Sequence, residues 1–249
     1  MTISIGLGSG RSGTHSLADL INHQSGAMCF HELAPSCMSW HGAERNVSAV
    51  IKQFQHLIDH QQDLIVTDMV GPDHSSRLSK IDRENIHTVG DVALYYLPYV
   101  RHILSIEPQA KFPCMKRDRD ETVFSFTKKL NTHGYSALTK FRFKLSGKST
   151  HRNPWSSEND TRWVKNHIWD RLFPSTKTNS TSLEDYVADW YDYYYSEVEA
   201  LMEIHPKSIE IFPTTSLNSD DGQSDILKFC GLTVSEDSFT HVHSNKSSF

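Results

Sequence analysis

A glycine-rich turn near the start of the chain constrains the fold more than any other part of the sequence. Residues 3–17 read ISIGLGSGRSGTHSL: a short apolar run, a turn that contains Gly6, Gly8, Gly10 and Gly13, and the start of a helix. Glycine permits backbone angles that side chains disfavour, so successive N–H groups can converge on phosphate oxygens at a helix N-terminus. Arg11 adds a permanent positive charge, and Ser12 and Thr14 add hydroxyl donors. The stretch therefore predicts an anion site between a β-strand and an α-helix.

Two known types of loop share parts of this pattern. Gly8 and Gly13 have the spacing of a Walker A loop, but Thr14 and His15 follow where that loop has Lys and Ser/Thr. This difference excludes an ordinary P-loop NTPase. The same stretch also matches the G-x-G-x-x-G fingerprint of dinucleotide-binding folds, and Glu32 lies 19 residues after Gly13, where such folds place the acid that binds ribose. An NAD-binding Rossmann oxidoreductase is therefore one hypothesis for the chain.

Length and charge narrow the class of protein. The chain has 249 residues and a formal net charge of −5 at pH 7. Its length fits one α/β domain with a sizeable core, so we predict a single domain over residues 1–249. The negative net charge argues against a general attraction to nucleic acid or to acidic membranes. Because the sequence has no secretory signal and no apolar stretch of about 18 residues, we predict a soluble, cytoplasmic protein without stable membrane insertion.

Strand and helix patterns alternate along the chain. Apolar runs predict strands at the start of the chain and at residues 27–31, 64–70, 111–116 and 208–212. Apolar spacing predicts a helix after the glycine turn and helices at residues 47–58, 92–106, 120–130, 183–201 and 224–230, with Thr181 and Glu184 as a capping box. Residues 131–182 are polar, and we predict loops and short helices there that cover the site. The alternation predicts an α/β fold with a central parallel sheet flanked by helices.

A charged segment at the end of the strand predicted at residues 111–116 forms a second candidate anion site. Residues 116–125 read KRDRDETVFS, which places Ser125 eight positions after Arg117. An arginine at the C-terminal edge of a strand and a serine about two turns into the following helix can both reach one phosphate group. The sequence therefore predicts two anion sites at one edge of the sheet.

Together, the two segments resemble the sulfotransferases that use 3′-phosphoadenosine-5′-phosphosulfate (PAPS). The Gly-Arg-Ser-Gly-Thr run is similar to their loop for the 5′-phosphosulfate. The second segment resembles their Arg-Asp-Pro-x-Asp-x-x-x-Ser motif at Arg117, Asp118, Asp120 and Ser125, with Arg119 where proline is usual. Similarity at Trp190 and at residues 209–212 and 226–232 extends the resemblance over nearly the whole chain. It implies the P-loop NTPase-like sulfotransferase fold and PAPS as the sulfonate donor.

The resemblance also implies roles for individual residues. Arg11 is expected to stabilise the leaving phosphate oxygen, and Glu32 and His31 resemble a glutamate base in a His-Glu pair after the second strand, where partial burial would raise the pKa of the glutamate. The implied donor site consists of Gly10, Arg11, Ser12, Gly13, Thr14, His15, Arg117, Ser125 and, near the C-terminus, Lys246. Arg117 and Ser125 would hold the 3′-phosphate, which NAD and ATP lack. The mechanism requires no metal, and the possible ligands Cys29, His31, Cys37 and His41 lack the paired spacing of a zinc site.

The acceptor and two other hypotheses stay open at the level of sequence. The resemblance implies a hydroxyl or amine acceptor on a small molecule, a carbohydrate or a lipid, and Asp68 and His74 are weaker candidates for the base. The oxidoreductase hypothesis leaves Arg117 and Ser125 unexplained. A relative that binds the nucleotide without catalysing transfer is the third possibility.

Overall fold

The structure is a computed structural model that describes residues 2–59, 86–132, 172–174, 182–234 and 239. The strands are β1 (Thr2–Gly6), β2 (Ala27–His31), β3 (Thr88–Val92), β4 (Phe112–Lys116) and β5 (Ile209–Pro213). The helices are α1 (Thr14–Asn22), α2 (Glu44–Ile58), α3 (Val100–Ile106), α4 (Arg119–Thr132), α5 (Leu183–Ile204) and α6 (Asp220–Phe229). Short 3₁₀ turns cover Pro35–Cys37, Leu94–Tyr99 and Thr214–Asn218.

The strands form a parallel sheet, as the alternation of elements predicts. β3 lies between β1 and β2, and β4 pairs with β5. Parallel bridges join Ser4 to Lys111 and Leu7 to Cys114, and they connect β1 to β4. The order across the sheet is therefore β2-β3-β1-β4-β5. Because the strands are parallel, the glycine turn after β1, the segment after β2 and the charged segment after β4 all emerge at the same edge.

Helices cover both faces of the sheet. On one face α2, α3 and α5 pack on the strands with residues that include Phe30, Phe54 and Tyr194, each 2% exposed or less. On the other face α1 and α6 enclose a smaller cluster around Leu17 and Leu227. Within the described parts of the chain, no helix is both long enough and apolar enough to cross a membrane.

Most element boundaries lie within a few residues of the sequence predictions, although the last helix begins at Asp220 and not at the predicted residue 224. β2 spans the predicted residues, and β4 and β5 begin one residue later than predicted. The helix predicted at residues 92–106 is wrong at its start, because a strand ends at Val92 and a 3₁₀ turn precedes α3. The N-cap of α5 is Ser182, whose side chain accepts from the Asp185 N–H, and not the predicted Thr181. The strand predicted at residues 64–70 and the base candidates Asp68 and His74 lie outside the described residues, as does most of the predicted cover segment.

The sequence patterns did not predict strand β3, because its composition is unusual for a strand. Its sequence, TVGDV, contains glycine and aspartate, two residue types that are depleted in strands. Every one of its residues is buried, because the strand lies between two neighbours and under helices on both faces. A buried central strand therefore lacks the alternation of apolar and polar residues that marks a half-exposed strand.

We predict that Gly90→Ala strongly destabilises the fold. Gly90 pairs with Ser4 across β1 and β3, and a Cβ atom at position 90 would overlap the backbone carbonyl oxygen of Ser4. The free energy of unfolding in urea should fall by about 3 kcal/mol. Gly42→Ala is the control, since Gly42 has a φ of +75° but a Cβ atom there would have nothing within 4 Å, and it should cost about 1 kcal/mol. Equal losses in the two variants would contradict the steric argument.

Candidate active site

The glycine turn between β1 and α1 adopts the conformation that its sequence requires. Gly10 and Gly13 have φ angles of 92° and 88°, in the left-handed region that favours glycine. Gly13 is the N-cap of α1, and a Cβ at this position would lie 3.1 Å from the Thr214 Cγ2. The Thr214 hydroxyl donates to the Ser12 carbonyl at 3.1 Å, so the turn is also fixed from the segment after β5. The turn thus leads into the N-terminus of a helix, where backbone N–H groups favour anions.

Aromatic residues of α5 hold the first half of this turn. The Trp190 indole N–H donates to the Ser9 carbonyl at 2.9 Å, and the Gly8 N–H donates to the Tyr194 hydroxyl at 3.0 Å. All four residues are buried. Side chains that lie far from the turn in sequence therefore fix its shape, together with the backbone freedom of its glycines.

The same helix holds the second predicted anion site. The Tyr191 hydroxyl donates to the Arg117 carbonyl at 2.6 Å, and the Tyr195 hydroxyl donates to the Met115 carbonyl at 2.7 Å. The Arg117 side chain forms an ion pair with Glu121, with 2.8 Å between Nε and Oε2. Helix α5 therefore contacts the backbone of both segments that the sequence predicts to bind anions.

A hydrogen bond joins the two predicted anion sites. The Arg11 Nε donates to the Ser125 Oγ at 3.1 Å, across 114 positions of the sequence. Burial lowers the pKa of Arg11, and the nearby positive charge of Arg117 lowers it further. Two arginines close enough to repel each other form a site that a polyanion would stabilise. The structure thus brings Arg11, Arg117 and Ser125 together, as the sequence predicts.

The segment after β2 faces the start of α1. The His31 Nε2 lies 3.1 Å from the Thr14 Oγ1, and the His31 Nδ1 lies 3.7 Å from the Glu32 Oε2. His15 is directed along α1, where its Nδ1 lies 2.8 Å from the Asp19 Oδ2, and its ring centroid is 5.2 Å from that of His31. The predicted base pair therefore lies beside the glycine turn, next to the hydroxyl that the sequence assigns to the donor site.

The environment of Glu32 favours its protonated form. The pKa of Glu32 is raised to about 7, chiefly by burial and also by the negative charge of Asp91, while the positive charge of Lys129 opposes the shift. The pKa of Lys129 is itself lowered by burial and by the charge of Arg11, although part of its side chain is exposed. A carboxyl group whose pKa is near 7 can accept a proton and release it again at neutral pH.

The backbone is strained at Arg11 and at Glu32. Arg11 has a φ of 59° and Glu32 has a φ of 57°, and over the described part of the chain no other residue except glycine has a positive φ. This conformation costs about 1–2 kcal/mol for a residue with a side chain. Strain of this kind concentrates at functional sites, where the surrounding structure maintains it. Arg11 and Glu32 are thus two of the three residues that the sequence predicts to be catalytic, and the third, His31, does not have a positive φ.

Two residues near the site were not singled out by the sequence analysis. Lys129 lies one helical turn after Ser125 on α4 and belongs to a run of seven basic residues between Thr122 and Ser157 that could attract an anionic donor or acceptor, but the sequence assigned it no role of its own. Asp91 lies within the missed strand β3, so its place beside the segment after β2 could not be inferred. Lys246 lies outside the described residues. Among the residues that are described, no three His, Cys, Asp or Glu side chains gather as a metal site would require.

Comparisons with known proteins found a family and several solved structures that this chain resembles. The family described as "Sulfotransferase domain" matches residues 4–248. Among solved structures, the sulfotransferase domain of the Synechococcus PCC 7002 olefin synthase has a TM-score of 0.51 and 13% sequence identity, covering 99% of this chain and 78% of the other. The sulfotransferase domain from the curacin biosynthetic pathway has a TM-score of 0.52 and 10% identity, covering 98% and 78%. These two likenesses concern the fold alone, and they agree with the predicted fold. A comparison with curated proteins found no match.

Proposed function

The chain belongs to the sulfotransferase domain family, and from this premise we propose that it transfers a sulfonate group from PAPS to a hydroxyl or amine of an acceptor. The observation that carries the choice of donor is the hydrogen bond between Arg11 and Ser125, beside Arg117. This hydrogen bond joins the glycine turn, which suits a 5′-phosphosulfate, to helix α4, which suits a 3′-phosphate. The family match also sets aside the dinucleotide-dependent oxidoreductase, which gives no role to Arg117 and Ser125.

The hydrogen-bond donors and positive charges of the site suit a nucleotide with anionic groups at both ends. The N–H groups at the start of α1 and the Thr14 hydroxyl would hold the 5′-phosphate. Arg117 and Ser125 would hold the 3′-phosphate through charge-assisted hydrogen bonds. Gly10, Gly13 and the buried Ser12 shape the turn. His15 is the next residue after Thr14 on α1. Lys246 is proposed as an additional donor contact on the basis of the family resemblance alone.

The residues around Glu32 support a general-base mechanism. When bound, PAPS supplies an activated sulfonate, which moves to the acceptor oxygen or nitrogen as the bond to the phosphate oxygen breaks. Glu32 would take the proton that the acceptor loses, and His31 would orient the Glu32 carboxylate and the Thr14 hydroxyl. Arg11 would stabilise the negative charge that grows on the leaving oxygen as a charge and a hydrogen-bond donor, since a guanidinium does not release its proton.

The test of the donor is calorimetric titration of the chain with adenosine 3′,5′-bisphosphate, NAD and ATP. We expect the bisphosphate to bind tightest. Arg117→Ala should weaken its binding about 10- to 100-fold, because a charge-assisted hydrogen bond to phosphate is lost.

Arg119→Ala is the matched control for this titration. Arg119 is two residues from Arg117, but its guanidinium is paired with the Asp192 carboxylate at 2.7 and 2.8 Å on the outer side of α5. The control should bind the bisphosphate as the wild type does. Tighter binding of NAD, or equal losses in the two variants, would contradict the proposed donor site.

A further inference from the structure

A buried carboxylate in the middle of the sheet has no part in the mechanism described so far. Asp91 on β3 is 0% exposed. Its oxygens accept hydrogen bonds from the Tyr96 hydroxyl at 2.8 Å, the Tyr95 hydroxyl at 3.3 Å and the Leu33 N–H at 3.1 and 3.2 Å. These donors are neutral groups. Burial of an ionised carboxylate costs several kcal/mol even when it is hydrogen-bonded, so its presence in an apolar core calls for an explanation.

The hydrogen bonds of Asp91 lead to the turn that presents Glu32. The N–H of Glu32 donates to the Val92 carbonyl at 3.1 Å, and the next N–H, that of Leu33, donates to the Asp91 carboxylate. Adjacent residues of β3 therefore hold the peptide groups on both sides of Glu32. The following N–H, that of Ala34, donates to the hydroxyl of Tyr95, which is itself bonded to Asp91. The strained φ of Glu32 is thus maintained by a network centred on one carboxylate.

We propose that Asp91 is a positioning residue for Glu32, holding the left-handed turn that presents the base and placing a negative charge beside it. The proposal rests on the proposed function, since it gives Asp91 a purpose only if Glu32 is the base. Without the Asp91 carboxylate, the Leu33 N–H loses its acceptor and the turn is free to relax to a negative φ. Relaxation would move the Glu32 carboxyl group away from His31 and the glycine turn.

The charges around Glu32 determine the sign of the expected effect. Glu32 is influenced by Asp91 from β3, by Lys129 from α4 and by the neighbouring His31 at the end of β2. Asp91 raises the pKa of Glu32, and Lys129 lowers it. The pKa of Asp91 is raised to about 6 by burial and held down by its hydrogen-bond donors. At neutral pH Asp91 is therefore mostly ionised, and removal of its charge should lower the pKa of Glu32.

The first test measures the pKa of Glu32 by ¹³C NMR of carboxyl-labelled protein without any donor or acceptor. Asp91→Asn should lower this pKa, because the like charge is lost and the neutral amide oxygen that remains is a weaker acceptor for the Leu33 N–H than a carboxylate. Glu203→Gln is the control, since it neutralises an exposed carboxylate in the last turn of α5 and leaves Asp91 and its hydrogen bonds in place, and Glu32 should keep its raised pKa. An unchanged pKa of Glu32 in folded Asp91→Asn protein would overturn the proposal.

A second test uses the wild-type chain and needs no substitution. If the Asp91 and Glu32 carboxyl groups interact, they titrate as a pair with two shared steps. The Leu33 amide proton, which is bonded to Asp91, and the Glu32 carboxyl carbon should therefore show the same two midpoints in one pH titration. A Leu33 amide that does not respond to the Glu32 step would count against the proposal.

The two tests also separate this proposal from the proposed function. Neither titration uses PAPS or an acceptor, so failure of the donor assignment would leave their outcome unchanged. Binding of adenosine 3′,5′-bisphosphate by Asp91→Asn should match that of the wild type, since the hydrogen bonds described for the Asp91 side chain go to Leu33, Tyr95 and Tyr96, which lie outside both anion segments. Loss of bisphosphate binding together with the lowered pKa would indicate a general loss of structure, and it would overturn the positioning role.

Discussion

Glu32→Gln is expected to lower the rate of sulfonate transfer by about 10²- to 10⁴-fold, the usual contribution of a general base. Glutamine keeps the size of the side chain but cannot accept the proton. The affinity for adenosine 3′,5′-bisphosphate should stay within about twofold of wild type, because the change lies outside the anion segments. The measurement is release of the bisphosphate from PAPS, with the acceptor that gives the wild type its highest rate in a panel of phenols, sugars and amines.

The dependence of the wild-type rate on pH gives an internal check. The pKa of Glu32 is raised to about 7, and only the ionised carboxylate accepts a proton. The rate should therefore rise with pH through about 7 and fall about tenfold for each unit below it. Glu203→Gln, which changes an exposed carboxylate at the far end of α5, should preserve both rate and profile. An unaffected rate in Glu32→Gln would remove Glu32 from the mechanism, and a chain that binds the bisphosphate but never transfers sulfonate would favour the non-catalytic relative.

Arg11→Ala is expected to lower the same rate by about 10²- to 10³-fold, as loss of one donor to a developing negative charge does. The side chain that contacts Ser125 and lies near Arg117 would be absent, so charge on the leaving oxygen would lose the cation that we propose to stabilise it. Arg11→Lys keeps a positive charge but lacks the guanidinium geometry, and we expect it to lose about tenfold.

Arg11→Gly separates chemistry from backbone strain. Position 11 has a φ of 59°, which glycine adopts without penalty and alanine does not. The glycine variant should therefore be about 1 kcal/mol more stable than the alanine variant in urea denaturation, while the two lose activity equally. If the glycine variant recovered the wild-type rate, the side chain of Arg11 would have no catalytic role.

The sequence predicted the parts of the site that depend on local chemistry. Three local patterns can be recognised in the sequence: glycines before a helix, an arginine after a strand, and a serine two turns later. Parallel strands then bring the segments that contain them to one edge of the sheet. The hydrogen bond between Arg11 and Ser125 was not predicted, since the sequence pairs Ser125 with Arg117. The raised pKa of Glu32 was also anticipated, because a carboxyl group at a strand end beside a loop is partly buried.

Other features of the site depend on contacts that no local pattern reports. Asp91 in strand β3 was missed because glycine and aspartate hid the strand, and a buried acid has no sequence signal that distinguishes it from a surface one. The left-handed conformations of Arg11 and Glu32 were equally inaccessible, since residues with side chains adopt them only when tertiary contacts require it. Arg119, which stands where the family motif has proline, forms an ion pair with Asp192.

Helix α5 fixes the spacing between the two segments that we propose to bind the nucleotide. Its neighbouring residues Trp190 and Tyr191 donate to Ser9 in one anion segment and to Arg117 in the other. The distance between the two segments is therefore set by hydrogen bonds from adjacent residues of one helix. An insertion of one residue between this pair would rotate one contact by about 100° around the helix axis and separate the two segments. We therefore expect the helix to tolerate substitutions outside these contacts, but not a change in length between Trp190 and Tyr191.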